Sequence, residues 1–231
     1  MKLDYIGKEL ENFSVASLWR NYVMSHFKKY YENKKVLEVG SGVGSFSELA
    51  IKDVNELTLL EPDPNFCNFL RGKFKDQKKI KEIINGTSHD LNGEKFDVIL
   101  HLQVLEHLKN DNEEILRNLS MLNKGGHLLI CVPSFMSLYS KFDESIGHYR
   151  RYIKDDFLKF DLNHSTITKM FYIDSAGYII YRLFSIFLNS SNPKKFMIYI
   201  WDKLFIPISF FLDKILLNRI GKNLIIIIKK S

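Results

Sequence analysis

The chain has 231 residues, 45% of them hydrophobic and 26% charged, with a formal net charge of +6. That length and apolar content suit one α/β domain with a substantial core, and they exclude a disordered chain or a small disulfide-stapled scaffold. Cys67 and Cys131 lie far apart in apolar surroundings, so they read as core residues in a reducing compartment. No metal centre is expected, and the leading MKLDYIGKELENF has no apolar run of the secretory kind, which points to the cytoplasm.

The pattern predicts a helix over about 12–31, a strand over 35–39, a helix over 44–52, a strand over 56–61 and a helix over 64–74. Strands near 80–84 and 96–101 follow, then a helix near 111–122 and a strand over 126–132. Residues 134–163 are mixed and polar, 165–173 reads as a strand, and Asn223 to Lys229 is a last β-branched run. Such β-α alternation predicts a mainly parallel sheet with helices on both faces, its ligand crevice at the carboxyl ends of the strands beside the first one. One domain spanning 1–231 is expected, with a helical cap over 1–33 and a helical insert or lid over 174–221.

The first strand breaks into Gly40, Ser41, Gly42, Val43 and Gly44, a G-x-G-x-G turn tighter than the dinucleotide fingerprint. Glycine permits positive φ and close approach of a ligand, while the helix that follows offers free N–H groups. Glu38, two residues before the first glycine, favours a ligand with a cationic end. Glu61 ends the second strand, where a carboxylate accepts the two ribose hydroxyls of an adenosine.

Residues 190–231 carry eight Lys or Arg against Asp202 and Asp213, so the excess charge lies in this tail and residues 1–189 balance. The run from Phe196 to Leu217 is long and apolar, yet Asp202, Lys203, Asp213, Lys214 and Pro207 argue against a membrane span. The two Asp-Lys pairs stand eleven residues apart and fall in line on a helix with Ser209 near them, leaving a broad apolar face opposite. Pro207 should kink or divide the element. A pocket lid, a homodimer interface and contact of 194–219 with an anionic membrane surface all fit, the last making the protein peripheral.

The runs VLEVGSGVGSFSELA, LTLLEPDP, FDVILHLQVLEHL and GGHLLICVPS, in this order and spacing, resemble the class I S-adenosylmethionine-dependent methyltransferases over nearly the whole chain. The resemblance implies a doubly wound, mainly parallel seven-stranded sheet of the Rossmann-like methyltransferase type, with a helical insert before the last strand. It also implies S-adenosyl-L-methionine as cofactor. Gly40, Ser41 and Gly42 would lie under its methionine and ribose parts, with Gly44 also among the cofactor-binding residues, Glu38 near its amino group, Glu61 on the ribose, and Pro62 with Asp63 beside the adenine. Gly86 and Thr87 would meet the adenine edge, and Leu102 and Gln103 would line the methionine channel. Many relatives carry Asp where Thr87 stands.

The VLEH run and the cluster Gly147-His148-Tyr149-Arg150-Arg151-Tyr152 resemble a subgroup linked to glycan, lipid or natural-product pathways. Methyl transfer from a sulfonium needs an aligned nucleophile and, for a hydroxyl, removal of a proton. His148 is a candidate base, with His107 a second candidate on the substrate side. Tyr149, Arg150 and Arg151 are candidate acceptor contacts, the arginines suiting a phosphate or carboxylate. The same arginines could instead pair with Asp143, Glu144, Asp155 or Asp156.

The expected acceptor is a hydroxyl of a small molecule, sugar or lipid-linked glycan. A nucleic-acid or protein methyltransferase and a non-catalytic S-adenosylmethionine-binding protein are the alternatives. No nucleic-acid partner is expected, because the first 189 residues are balanced in charge and no N/D-P-P-Y/F run follows the fourth strand. The tight glycine spacing disfavours a dehydrogenase.

Overall fold

A computed structural model describes residues 12–91, 93–184 and 194–231. The first eleven residues of the expected cap and residues 185–193 of the expected insert lie outside the described residues.

Seven strands form one sheet: β1 (Lys35–Val39), β2 (Glu56–Glu61), β3 (Ile80–Asn85), β4 (Phe96–Leu102), β5 (Leu122–Pro133), β6 (Thr166–Ile173) and β7 (Asn223–Lys229). Their order is β3-β2-β1-β4-β5-β7-β6. β1 pairs parallel with β2 and β4, and β4 with β5, whereas β7 runs antiparallel between β5 and β6. The order therefore reverses at β1 and β4, which opens a crevice at their carboxyl ends.

Burial on both faces makes the central strands mostly apolar, with Glu38, Thr58 and His101 buried among them. Neighbouring residues still serve opposite cores, as the two-residue period of a strand requires. Val36, Leu59, Leu100, Ile225 and Ile227 pack on one side with Trp19 and Phe27 of α1 (Ser17–Tyr31). Leu37, Leu60, Ile99, Ile226 and Ile228 pack on the other with Ile115 and Leu119 of α4 (Asp111–Met121). Cys67 and Cys131 are free and fully buried.

Three expected boundaries move, the first being the helix expected over about 12–31, which begins at Ser17 after a turn at residues 14–15. The helix expected over 44–52 shrinks to α2 (Ser47–Ala50), because the glycine turn and its backbone bonds occupy the residues before it. The strand expected over 126–132 starts earlier, at Leu122. α3 (Pro64–Lys73) begins where Pro64 predicts, with Asp63 Oδ1 accepting from the Asn65 amide at its N-terminus. Residues 134–163 supply two short helices, α5 (Lys141–Ser145) and α6 (Lys154–Leu158).

The insert carries α7 (Ser175–Phe184), α8 (Lys195–Ile200), a wide π-helical turn at Trp201–Phe205, and α9 (Ile206–Ile215). Pro207 sits in the first turn of α9, so it divides the apolar run as expected. No described helix is long and apolar enough to cross a membrane.

The line of polar residues faces inward. Asp202, Ser209 and Asp213 are buried, while Phe196, Phe211 and Leu217 are about 70% exposed (71, 68 and 69%). The cause is helix capping from a distance. Ala16 precedes α1 and has no side chain to cap it, and Asp202 fills that role, accepting from the Leu18 and Trp19 amides at 3.1 and 2.8 Å. Asp213 accepts from the Asp174 and Ser175 amides, both at 2.8 Å, at the start of α7 and from the Tyr22 hydroxyl at 2.7 Å. Asp174 in turn accepts from Gly177 N–H, Ser209 Oγ and Trp201 Nε1.

Removing the Asp202 carboxylate would leave two buried amides without an acceptor. We expect Asp202→Ala to lower unfolding free energy by roughly 3 kcal/mol in denaturant titration, with Asp202→Asn losing less. An unchanged midpoint for Asp202→Ala would show that the cap does not anchor α1.

Candidate active site

The turn after β1 is clamped on three sides. Gly40, Gly42 and Gly44 have φ of 70°, 52° and 70°. A Cβ on Gly40 would stand 2.6 Å from a Val104 methyl, and one on Gly44 would stand 2.7 Å from both Leu70 and Phe74. Glu61 at the tip of β2 closes the arrangement: one oxygen accepts from Gly42 N–H at 2.7 Å and the other from Asp63 N–H at 2.9 Å. Behind the turn, Glu38 accepts from Ser47 Oγ at 2.6 Å, and burial pushes its carboxyl up to about 7.

A cleft of about 530 Å³ opens over this turn. Gly40, Ser41 and Gly42 line one end together with Leu102 and Gln103 from the exit of β4. Gln103 has φ of 58°, a left-handed backbone that non-glycine residues rarely adopt, and its amide bonds to Cys131 O and Asn223 Oδ1. His107, His148 and Arg151 line the other end, and Trp19 from α1 with Tyr181 and Trp201 from the insert complete the walls.

The remaining candidates stand off the walls. Glu38, Gly44, Glu61 and Pro62 support the turn and the β2 tip from behind or beside it. Gly86 and Thr87 follow β3, where Asp90 accepts from the Thr87 amide and hydroxyl in a tight cap. Tyr149 is exposed at the ring, and Arg150 turns away to Asp111 Oδ2 at 3.0 Å and Lys109 O at 3.1 Å.

Asp143 is the centre of the second end. Arg151 donates to it through two nitrogens, each at 2.9 Å, and His148 Nδ1 lies 2.8 Å from the same carboxylate. Burial opposes ionisation of Asp143, but the His148 hydrogen bond and the Arg151 cation outweigh it and hold the carboxyl well below its usual range. Glu106 Oε1 lies 3.9 Å from His148 Nε2. Burial pushes Glu106 up to about 7, against the pull of His148. Burial and the neighbouring His148 hold His107 down to about 3, so its ring is neutral.

Glu106, His107 and His148 offer donor atoms within 4.8 Å of one another, a set able to hold a metal ion. The fixed Arg151 cation on the carboxylate that holds His148 weighs against it and favours a proton-handling cluster. Sequence reasoning weighed Asp143 only as one of four partners for the arginines. It missed Tyr181, Trp201 and Lys222 as cleft residues, and only a lone lysine just before the β-branched run signalled the last.

Residues 37–128 match the family model described as "Methyltransferase domain". No curated protein matches the chain. The N-methyltransferase NodS from Bradyrhizobium japonicum WM9, solved with S-adenosyl-L-homocysteine, is 13% identical with a TM-score of 0.60, covering 92% of this chain and 86% of that one. Coclaurine N-methyltransferase bound to N-methylheliamine and S-adenosylhomocysteine is 14% identical with a TM-score of 0.59, covering 100% of this chain and 76% of that one. The [4+2]-cyclase SpnF is also 14% identical, with a TM-score of 0.60 over 93% of this chain and 81% of that one. Residues 37–128 thus carry a methyltransferase domain, and the chain shares the fold of these S-adenosylhomocysteine-bound methyltransferases.

The cofactor suits the turn described above, where an added Cβ at Gly40 or Gly44 meets a wall, Gly42 has a positive φ and the β2 carboxylate holds the loop. In Gly40→Ala the methyl would press on Val104 and the backbone would keep its positive φ. We expect a stability loss of roughly 1 to 3 kcal/mol and at least tenfold weaker S-adenosylhomocysteine binding in calorimetry, partly restored by adding Val104→Ala. Full affinity in the single variant would refute the clamp.

Proposed function

We propose that this protein is an S-adenosylmethionine-dependent methyltransferase that transfers the methyl to a hydroxyl of a small molecule, sugar or lipid-linked glycan, with His148 accepting the proton. The His148–Asp143 pair in the cleft carries this reading. When bound, S-adenosylmethionine supplies an electrophilic methyl on a sulfonium. Gly40, Ser41, Gly42 and Glu61 would hold its methionine and ribose parts, and the buried Glu38 would stand toward its amino group.

The ionised Asp143 fixes His148 with Nδ1–H as donor, which leaves Nε2 basic and able to take the hydroxyl proton. Glu106, 3.9 Å from that nitrogen, would stabilise the imidazolium that results. His107, held neutral, is the weaker base and serves as a wall of the acceptor end.

Transfer of labelled methyl from S-adenosylmethionine to a panel of phenols, sugars and lipid-linked sugars tests the proposal. We expect His148→Ala to cut turnover about 100-fold or more while S-adenosylhomocysteine affinity stays within a factor of two or so. Unchanged turnover would remove His148 from the chemistry. Cofactor binding with no product on any acceptor would favour the non-catalytic alternative.

The outward apolar face supports peripheral contact with an anionic membrane. Phe196, Leu204, Phe211, Ile215 and Leu217 are exposed among Lys195, Lys203 and Lys214, and α8 also contributes Met197 to the cleft. Apolar insertion with a basic rim is the pattern of an interfacial helix. In flotation with phosphatidylglycerol vesicles we expect binding at low salt that weakens at high salt and is lost in Phe211→Asp. Absence from the lipid fraction at low salt, or a stable homodimer that hides this face, would overturn it.

A further inference from the structure

Lys222 precedes β7 and is fixed by its backbone, donating to Asp174 O at 3.1 Å and accepting from Ser134 N–H at 3.0 Å. Its side chain lines the cleft. The ammonium lies 4.7 Å from the Trp201 ring centre and 5.4 Å from that of Tyr181, and it forms no ion pair among the described residues. The Arg151 guanidinium packs on the same Tyr181 ring at 5.6 Å. Asp143 occupies Arg151 Nε and Nη2, whereas Nη1 is buried without a hydrogen-bond partner, in a side chain only 6% exposed.

Two cations thus meet over one aromatic ring inside a cleft that is otherwise mostly apolar. Like charges so placed repel, and a buried donor without an acceptor is costly. Aromatic faces offset only part of that cost. One group relieves both defects: an oxyanion that accepts from Arg151 Nη1 and pairs with the Lys222 ammonium. Burial lowers the Lys222 pKa against the attraction of Asp174, and the Arg151 cation adds to the lowering, as two cations in one cavity should.

We propose that Lys222 and Arg151 form an oxyanion subsite that holds a carboxylate or phosphate of the acceptor. The subsite rests on the methyl-transfer reading and narrows its acceptor to a molecule with an apolar body and one anionic group. It lies at the β5–β7 end of the cleft, where Pro133 pairs with Asn223, and the glycine turn lies on the β1 side.

Protein saturated with S-adenosylhomocysteine is titrated with inorganic phosphate and, separately, with 4-hydroxybenzoate, following heat and Trp fluorescence. At least one probe should bind, and the stronger arm tells whether phosphate or carboxylate is the natural group. Lys222→Met should weaken that probe at least tenfold and leave S-adenosylhomocysteine affinity and the melting temperature near those of the wild type. Arg151→Lys should weaken the same probe, since the bidentate hold on Asp143 would be lost along with Nη1.

Normal S-adenosylhomocysteine binding with no response to either probe, or equal probe affinity in Lys222→Met, would overturn the subsite and leave the methyl-transfer reading standing. Loss of S-adenosylhomocysteine affinity in Lys222→Met would assign the lysine to the cofactor and overturn it as well. Failure of the wild type to bind S-adenosylhomocysteine would defeat the parent reading itself.

Discussion

Helix N-termini capped by carboxylates from remote parts of the chain organise everything above the sheet. A free amide in a dry interior needs an acceptor, and neither α1 nor α7 finds enough of them locally. Asp202 serves α1 and Asp213 serves α7, so the insert is drawn down with its polar line toward the body of the protein. The rest follows from that orientation. Trp201 and Tyr181 come over the cleft, and the bulky apolar residues of α8 and α9 are left facing outward. An amphipathic helix in an ordinary globular domain buries the opposite face.

Below this roof the cleft has two ends with different physics. The cofactor end is a matter of shape: three glycines at positive φ, walls that leave no room for a Cβ at Gly40 or Gly44, and a backbone loop held by Glu61. The far end is a matter of charge, arranged around Asp143, which serves Arg151 and His148 at once. Sharing one carboxylate couples them, so a change at Arg151 is felt in the orientation of the imidazole.

Much of the sheet was legible in the residues because β1, β2, β4 and β7 are short apolar runs bounded by turn signals, and burial on both faces demands that pattern. The glycine turn and Glu61 were legible for a similar reason, since positive φ and close approach leave few residue types to choose from. What stayed hidden depends on distance through the chain. That Asp202 and Asp213 point inward cannot be read from their spacing, because the amides they cap belong to segments 183 and 39 residues away. Arg150 and Arg151 are adjacent and alike in sequence, yet one turns to Asp111 and the other to Asp143. Lys222 looked like one more charge of a basic tail until β7 brought it beside the exit of β5.

The place of β7 bears on how the enzyme is assembled. β1, β2 and β4 can pair as soon as residue 102 has been made, whereas Gln103 at the β4 exit is held by Cys131 of β5 and Asn223 of β7. β5 and β6 are separated by a strand that is synthesised after both, and until residues 223–229 slot between them each presents an open edge. The side of the sheet that carries Lys222 and the exit of β5 is therefore completed last, by the strand made after all the others.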